Sequence, residues 1–471
     1  MRRKRNAPAR SCSTLVAMPE STQDGTVIFG KNSDRPVNEP QPLQYYPPAD
    51  HAEGSMVKCT YITIPQAAHT YGCIGSRPYN LFGFEHGVNE HGVVIGNEQV
   101  TSRETPERQW GLIGMDLLRL ALERARTAGE AVEVIAELLE TYGSGGDPTI
   151  RLQYCNANYI IADYKEAYIF ESCNRLWAAK KIHGTAHIGN IYDLGDDYDL
   201  IGENVVDTVV KRGWAGPAKR INISEAFSLS DLDYEDAEAY FRYLRQEELM
   251  TAGQPFTVQR MMSILRDHYE PKLRSALNPI FDIATSKIPT ICSHPGGVSG
   301  CASAASVVCE LRPSAPEPFR ILYWGSMAPP CSSVFTPKFN IGWIPKQLAA
   351  AGARFDENSP WWIFTCLERY IELSYQDFAP LAQEAFRPFE EDLIAAVKEA
   401  EKDYDGDIEP LRRLSQEAFE RSLDLARTVT GRILAQLPRT RVNYLQLDYF
   451  REVAETCAMP YEETLITGKE A

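Results

Sequence analysis

A cysteine near the start of the chain has neighbours that could turn its thiol into a nucleophile. Cys12 follows a polar leader, residues 1–11, and opens an apolar stretch. If the leader is removed, Cys12 carries both a thiol and a free α-amine, and such an amine can serve as the base that activates the thiol. An α-amine titrates at roughly 7.7–8.0 in model peptides, which suits proton transfer near neutral pH. The pattern predicts covalent catalysis by Cys12.

A β-hairpin would bring polar groups to this thiol. Two short apolar runs flank the turn-like residues 19–25. This arrangement is typical of a hairpin, in which the start of the first strand lies near the end of the second. Cys12 would then lie beside Lys31, Asn32 and Asp34, which follow the second run.

Two cations and a carboxylate in this segment could act on the thiol and the amine. Lys31 or Arg35 would stabilise a thiolate, because a nearby positive charge lowers the pKa of a thiol. Asp34 would hold the α-amine of Cys12. The alternative is that Lys31 and Arg35 are solvated charges just past the end of a strand.

These residues resemble a known family. The chain is similar to the secernins, a dipeptidase branch of the N-terminal-nucleophile hydrolases, over residues 12–340. The resemblance implies an α+β fold, the four-layer αββα sandwich of that superfamily, with a C-terminal helical extension beyond it. The motifs that carry it are Cys12-Ser13-Thr14, residues 30–35, Ser76-Arg77-Pro78, residues 87–98, residues 114–117, Ile161-Ala162-Asp163 and Trp177-Ala178-Ala179.

The resemblance also implies roles for residues far from Cys12 in sequence. Asn97 matches the family's oxyanion asparagine, whose amide donates to the negative oxygen that develops during acyl transfer. Asn190 is similar to the second positioning asparagine of these enzymes. Because asparagine is depleted in strands, Asn97 could instead be a strand terminator after the apolar residues 93–96.

Three residues are expected to bind substrate. Arg77 could pair with a substrate carboxylate, since a dipeptidase must recognise a terminal charge; a structural salt bridge is the alternative. Arg35 and Asn32, on either side of Asp34, are the other two. Lys31 stands where bile-salt-hydrolase-like relatives have arginine, and lysine cannot make a planar two-pronged contact.

No metal or organic cofactor is expected. His86 and His91 each follow a glutamate, but they are five residues apart rather than at the i, i+4 spacing of a zinc helix, and are expected at turns and strand ends. Residues 25–32 nearly fit the spacing of a phosphate-binding loop. Asn32, however, replaces the magnesium-binding hydroxyl, and residues 26–29 are strand-like.

The composition excludes several classes of partner. The chain has 64 acidic and 48 basic residues, a formal net charge of -16, which predicts no nucleic-acid partner. The leader has no apolar segment of the kind that secretory signals carry, and no run is long enough for a membrane span. The 11 cysteines are odd in number and lack a C-x-x-C pair, which favours a reducing, cytoplasmic location.

Most of these cysteines are expected to be small buried hydrophobes. Cys292, Cys301 and Cys331 lie near Gly or Pro turns and are the rivals of Cys12 as nucleophile. The others in apolar runs are assigned to the core, namely Cys59, Cys73, Cys155, Cys173 and Cys309.

Hydrophobic periodicity divides the chain into a mixed part and a helical part. Strands are expected at residues 57–64, 93–96, 158–162, 167–170, 175–179, 303–311 and 319–324. Helices are expected at residues 112–126, 130–142, 257–269, 390–404, 410–429 and 445–456.

Three regions follow from these patterns: the leader at 1–11, a catalytic domain at 12–345 and a C-terminal helical extension at 346–471. The extension is expected to pack on the catalytic domain or to form a homo-oligomer by pairing between subunits. A solvated helical hairpin with only a structural use is the alternative.

The predicted function is that of a cysteine-type amidohydrolase, a dipeptidase that cleaves small peptides through an acyl-enzyme on Cys12. Two alternatives stay open. One is a secernin-like binding or regulatory protein without proteolytic activity. The other is an acyltransferase or amidase that acts on a non-peptide C–N bond at the same site.

Overall fold

The computed structural model describes eight stretches of the chain: residues 12–104, 110–149, 154–229, 234–253, 255–269, 289–295, 301–442 and 444–461. The predicted leader at 1–11 lies outside the described residues, as do the last ten residues of the predicted extension.

Most strands of the described chain form two antiparallel sheets. The strands are β1 (Ser13–Ala17), β2 (Val27–Pro36), β3 (Leu43–Tyr46), β4 (Ala49–Asp50), β5 (Met56–Lys58), β6 (Thr63–Pro65), β7 (His69–Thr70), β8 (Cys73–Ser76), β9 (His86–Asn89), β10 (Val94–Val100), β11 (Asn156–Ala162), β12 (Ala167–Cys173), β13 (Leu176–Lys181), β14 (Thr185–Ile188), β15 (Leu200–Ile201), β16 (Cys301–Leu311), β17 (Ile321–Met327) and β18 (Thr336–Phe339). Sheet 1 has the order β14-β1-β2-β16-β17-β18, and sheet 2 has the order β15-β13-β12-β11-β10-β9-β8-β3.

Helices cover the outer faces of both sheets. They are α1 (Gly114–Arg124), α2 (Ala128–Tyr142), α3 (Val205–Lys211), α4 (Ile223–Phe227), α5 (Tyr234–Thr251), α6 (Val258–Leu265), α7 (Pro360–Leu373), α8 (Tyr375–Lys402), α9 (Glu409–Gln436) and α10 (Tyr444–Cys457). None of these helices combines the length and the apolar character that crossing a bilayer requires.

The layers follow the order helix, sheet, sheet, helix. Leu118 of α1 and Ile135 of α2 share a core with Ile95 and Phe170 of sheet 2. On the other side, α5, α6 and the C-terminal helices contact sheet 1. The two sheets face each other so closely that a Cβ added at Gly96 of β10 would lie 2.9 Å from Phe29 Cζ of β2. The αββα arrangement predicted for an N-terminal-nucleophile hydrolase is therefore confirmed.

The predicted hairpin at the start of the chain is also confirmed. β1 and β2 pair antiparallel, with Ser13 opposite Asn32 and Ala17 opposite Ile28. The second strand is longer than its apolar run, because it continues through the polar residues to Pro36. Lys31 and Arg35 are thus buried residues of a strand, and the alternative that they are solvated charges past its end is wrong.

Of the other strand predictions made from local sequence patterns, some are confirmed and some are wrong. The meander at 158–179 is confirmed, since β11, β12 and β13 pair in succession. The single strand predicted at 57–64 is wrong: β5 and β6 pair with each other as a small hairpin, with Val57 opposite Ile64. Asn97 lies inside β10 rather than at its end, so the strand-terminator alternative is wrong as well.

The C-terminal helices share the core of sheet 1. Trp361 Nε1 of α7 donates to Ala304 O of β16 at 2.9 Å, and Ser415 Oγ of α9 donates to Pro337 O of β18 at 3.0 Å. Since these helices bury their apolar faces on sheet 1, the expectation that they pack on the preceding part of the chain is confirmed and the solvated hairpin is wrong. Pairing between subunits stays a prediction.

Candidate active site around Cys12

The hairpin places the Cys12 thiol against the backbone of the second strand. Asp34 N–H donates to Cys12 Sγ at 3.2 Å, and the thiol is 3.6 Å from Asp34 O. Cys12 is 6% exposed. The predicted neighbourhood of Cys12 and Asp34 is therefore present, and a backbone N–H is already directed at the sulfur atom.

The Asp34 carboxylate is held by the neighbouring strand. Ser303 Oγ of β16 donates to Asp34 Oδ1 at 2.5 Å. The pairing of β2 with β16 shifts register between Ser303 and Ala305, directly beside this contact. Such an irregularity is a common way to redirect a side chain near a functional site. Asp34 thus has a fixed position within reach of Cys12.

A buried arginine connects Cys12 to Asn190. Arg242 Nη1 of α5 donates to Cys12 O at 2.9 Å, and Arg242 Nη2 donates to Asn190 Oδ1 at 2.9 Å. Asn190 Nδ2 in turn donates to Gln99 O at 2.8 Å. The structure therefore brings Asn190 into the Cys12 cluster through Arg242, a residue that sequence reasoning missed.

Lys31 forms an ion pair between the two sheets. Its Nζ lies 3.3 Å from Glu98 Oε1 and donates to Asn97 O at 2.6 Å, while Thr14 Oγ1 donates to the same Glu98 oxygen at 2.5 Å. Both side chains of the pair are fully buried. Glu98 was not among the predicted residues, although it directly follows Asn97.

The charges of this pair respond differently to burial. Burial raises the pKa of Glu98, and although Lys31 and Thr14 oppose the rise, that pKa is about 7. Burial disfavours the charged form of Lys31, but Glu98 and Cys12 outweigh it and raise the pKa of Lys31 to about 12. Lys31 is therefore a permanent cation, whereas Glu98 changes charge near neutral pH.

The thiol is protonated in this arrangement. Burial raises the pKa of Cys12 well above its ordinary value, and the nearby Lys31 only partly offsets it, while Glu98, Glu85 and Asp34 raise the pKa further. A buried protonated thiol is a poor nucleophile. A base that removes its proton is needed for covalent chemistry.

Asn97 faces a glutamate across the strand pair. When its amide nitrogen is turned toward Glu85, Nδ2 donates to Glu85 O and to Glu85 Oε2, each at 2.8 Å. Glu85 itself lies against Arg35, with Arg35 Nη1 2.7 Å from Glu85 Oε1. Glu85 and Arg35 thereby fix the orientation of the predicted oxyanion amide.

The three predicted substrate-binding residues have structural partners. Arg35 Nη2 contacts Glu39 Oε1 at 2.7 Å, in addition to the contact with Glu85. Arg77 Nη1 donates to Leu81 O at 2.6 Å, which closes its own loop. The geometry thus supports positioning roles for Arg35 and Arg77, and substrate contact stays a prediction for both.

Asn32 points away from Lys31, as consecutive residues of a strand do. Its Nδ2 donates to Leu265 O at the end of α6 and to Ile291 O, each at 2.8 Å, and its Oδ1 accepts from Ser306 Oγ at 2.7 Å. The amide is thus fully used in joining β2 to the helical layer. This geometry supports a scaffold role rather than the predicted contact with substrate.

A second cluster of polar side chains, which sequence reasoning did not bring together, lies next to the helical layer. His268, Cys292, His294 and Cys331 direct their ligand atoms at one another, all within 4.8 Å. The Cys292-x-His294 spacing was the available signal. His86, which was rejected as a zinc ligand, lies at a strand end as expected. It begins β9, and its Nδ1 is 3.1 Å from the Tyr323 hydroxyl.

Comparison with known proteins finds partial similarity to enzymes that act on C–N bonds or transfer acyl groups. A family model described as acyl-coenzyme A:6-aminopenicillanic acid acyl-transferase matches residues 21–189. A dipeptidase of Bifidobacterium longum is 24% identical over 216 residues, which are 40% of this chain and 39% of that protein. The matched part thus spans about two fifths of the relative's length. The more specific resemblance to the secernins stays a prediction.

Two solved structures show distant similarity. A mutant of the conjugated bile acid hydrolase from Clostridium perfringens aligns with 67% of this chain and 89% of its own, at 11% identity and a TM-score of 0.34. The penicillin V acylase of Agrobacterium tumefaciens aligns with 67% of this chain and 83% of its own, at 12% identity and a TM-score of 0.32. Similarity this distant does not indicate which residues form the site.

Proposed function

We propose that this chain is an N-terminal-nucleophile amidohydrolase that cleaves the C–N bond of a small peptide, with Cys12 as nucleophile. The observation that carries the proposal is the Cys12 thiol at the start of β1, 3.2 Å from the Asp34 N–H and within the field of the buried Lys31 cation. The similarity to a dipeptidase supports a peptide substrate. The secernins are the branch that this assignment favours.

The mechanism begins with loss of residues 1–11, which frees the α-amine of Cys12. The amine takes the proton of the thiol, and the sulfur attacks the carbonyl carbon of the scissile bond. The Asp34 N–H and the Lys31 cation favour the thiolate over the thiol. Because burial otherwise raises the pKa of Cys12 well above its ordinary value, this local base is essential.

The tetrahedral intermediate places a negative charge on the former carbonyl oxygen. Asn97 is the proposed donor to that oxygen, and Glu85 holds its amide in place until substrate binds. The protonated α-amine then gives its proton to the leaving nitrogen, and the C–N bond breaks. Water attacks the resulting thioester, with the same amine as base, and the acid product leaves.

The other polar residues position these groups. Arg242 binds the Cys12 carbonyl and Asn190 together, which orients the nucleophile's own backbone. Asp34, fixed by Ser303, is the proposed acceptor for the protonated α-amine. No step requires a metal or an organic cofactor.

Acyl transfer is the second candidate function. It is favoured by the acyl-transferase family model that matches residues 21–189. In this reaction an amine, rather than water, would attack the thioester on Cys12. The two functions share every step up to the acyl-enzyme and differ only in the acceptor.

The test of this proposal combines intact-mass analysis with a measurement of dipeptide hydrolysis. Intact-mass analysis of active protein should find a chain that begins at Cys12, and incubation with a panel of dipeptides should produce free amino acids. Cys12→Ala should abolish hydrolysis, whereas Cys366→Ala, which alters a half-buried thiol on α7, should not. Full activity of Cys12→Ala, or active enzyme that retains residues 1–11, would refute the proposal.

An added amine acceptor distinguishes the two candidate functions. If the acyl-enzyme partitions to an amine in preference to water, a new amide accumulates and free acid declines. If the yield of free acid does not respond to the amine, the hydrolase assignment holds.

A further inference from the structure

Four ligand-type side chains from three separate parts of the chain meet in the layer between sheet 1 and the C-terminal helices. His268 follows α6, Cys292 and His294 belong to the segment 289–295, and Cys331 lies in the turn between β17 and β18. All four side chains are buried. Their ligand atoms, two imidazole nitrogens and two thiol sulfurs, lie within 4.8 Å of one another.

We propose that His268, Cys292, His294 and Cys331 bind one zinc ion in a closed tetrahedral site. Two thiolates and two imidazoles are a ligand set typical of structural zinc, and soft sulfur ligands disfavour magnesium and calcium. This site is separate from the Cys12 cluster and takes no part in the proposed reaction.

The distances between the ligand atoms fit such a site. Zinc–nitrogen bonds of about 2.05 Å and zinc–sulfur bonds of about 2.3 Å, at tetrahedral angles, separate two nitrogens by about 3.3 Å and a nitrogen from a sulfur by about 3.5 Å. His268 Nε2 and His294 Nε2 are 3.2 Å apart. His294 Nε2 is 3.3 Å from Cys331 Sγ and 3.8 Å from Cys292 Sγ.

A carboxylate orients one of the imidazoles. Glu372 Oε1 of α7 is 3.1 Å from His294 Nδ1, and Glu368 Oε1 of the same helix is 4.0 Å from it. Metal-binding histidines usually have a second contact of this kind, in which the ring nitrogen that does not bind the metal lies against a carboxylate. The contact orients the ring so that Nε2 lies toward the two sulfurs.

Two other chemical roles for the cluster would each involve only some of its four side chains. A Cys331–His294 nucleophile pair would use two of the four groups and leave the close approach of His268 and Cys292 to them without a purpose. A disulfide between Cys292 and Cys331 would use both thiols and leave the close approach of His268 and His294 without a purpose. A zinc ion satisfies all four groups at once.

The ion would stabilise the part of the chain that supports the active-site strand. Cys292 follows Ile291, whose carbonyl accepts from Asn32 of β2. On its other side, Ser293 O accepts from Ser303 N at 3.1 Å. With all four positions filled by protein, the site has no place for a substrate, so the role of the ion is structural. Zinc binds the two sulfurs as thiolates, and any protons that it displaces from the four ligands go to solvent.

The test begins with the full chain, purified without chelators or a histidine tag. Elemental analysis by mass spectrometry should find one zinc per chain. X-ray absorption at the zinc edge should find a shell of nitrogen at about 2.0–2.1 Å and of sulfur at about 2.3 Å in equal numbers. Absence of zinc, or a shell without two sulfurs, would overturn the proposal. A Cys292–Cys331 disulfide, seen as a mass change on reduction, would also overturn it.

Variants locate the ion on the chain. Cys292→Ser and Cys331→Ser should lose zinc, whereas Cys366→Ser, which changes a thiol outside the cluster, should keep it. Cys12→Ala should also keep zinc, which separates this result from the outcome for the proposed function. Zinc at wild-type levels in both Cys292→Ser and Cys331→Ser would refute the assignment. If these variants do not fold, the absorption spectrum of the wild-type protein decides.

Discussion

Lys31 of β2 and Glu98 of β10 form an ion pair between the two sheets, with Nζ 3.3 Å from Oε1 and both side chains fully buried. Removing one partner from a buried pair leaves an uncompensated charge, which is strongly destabilising. The pair also acts on the Cys12 thiol, so its charge state affects the pKa of that thiol as well as the fold.

Glu98→Gln should make the stability of the protein less dependent on pH. The pKa of Glu98 is about 7 in the folded protein and its ordinary value is 4.5, so the folded state binds the proton more tightly. The contribution of Glu98 to the free energy of unfolding therefore falls as pH rises from about 4.5 to about 7. Urea denaturation at several pH values in this window should find a flatter profile for Glu98→Gln than for the wild type. An identical slope would contradict the prediction.

The same substitution should lower the pKa of the Cys12 thiol. The Glu98 carboxylate raises that pKa, and glutamine removes its charge. Iodoacetamide labelling of Cys12 in Glu98→Gln should therefore be faster than in the wild type at pH 8, where Glu98 is ionised. Peptide mapping identifies the labelled residue, and the rate at Cys366 is the internal control. Equal rates at Cys12 in both proteins would show that Glu98 does not influence the thiol.

Gly96→Ala should weaken the contact between the sheets. The new Cβ would lie 2.8 Å from Lys31 Cδ, 2.9 Å from Phe29 Cζ and 3.2 Å from Thr14 Cγ2. Overpacking of a close-packed core typically costs about 1–3 kcal/mol. The control is Gly431→Ala in α9, where nothing lies within 4 Å and the change should stabilise by up to about 1 kcal/mol. Denaturant titration of both variants should give opposite signs.

Asn97→Ala and Asp34→Asn should lower turnover more than they lower stability. Removing one oxyanion donor typically costs about 2.7–4 kcal/mol of transition-state stabilisation, so Asn97→Ala should reduce turnover by roughly a hundredfold to a thousandfold. Asp34→Asn keeps an acceptor for Ser303 but removes the negative charge, so its pH optimum should shift as well. Melting and turnover are measured on the same samples. Reduced melting with normal turnover in both variants would defeat the catalytic assignment.

Asn32→Ala, in contrast, should lower stability more than it lowers turnover. The substitution leaves the carbonyls of Leu265 and Ile291 without their buried donor, and each unsatisfied group costs about 1–3 kcal/mol. We expect a lower melting temperature with the KM for dipeptides unchanged. A raised KM at normal stability would instead restore the predicted contact between Asn32 and substrate.

Sequence patterns predicted those parts of the fold that depend on neighbouring residues. The β1–β2 hairpin and the meander from β11 to β13 join runs that are adjacent in the chain, so turn chemistry was a sufficient signal. The error at 57–64 has a similar origin. Both halves of that run alternate as strands do, and only their pairing across residues 59–62 distinguishes a small hairpin from one strand.

The missed residues of the site are partners at long range. Arg242 lies 230 positions from Cys12 and Glu98 lies 67 positions from Lys31, and no local pattern links such pairs. α5 is also misleading by composition. It buries Arg242, Arg245 and Gln246 and exposes Phe241, which reverses the usual amphipathic pattern. A polar stripe at i, i+3 and i+4 would ordinarily be assigned to solvent.

The alternation of β2 has a consequence for the fidelity of folding. Lys31 faces sheet 2 and Asn32 faces α6, so a slip of one residue in the hairpin would exchange the two side chains. A misaligned strand would bury the ammonium group of Lys31 against α6, away from Glu98, and would place an amide where the cation belongs. Burying that charge without its partner costs free energy, so the wrong alignment is less stable than the native one. Cys12, at the start of β1, is thereby brought beside Asp34 in a single register.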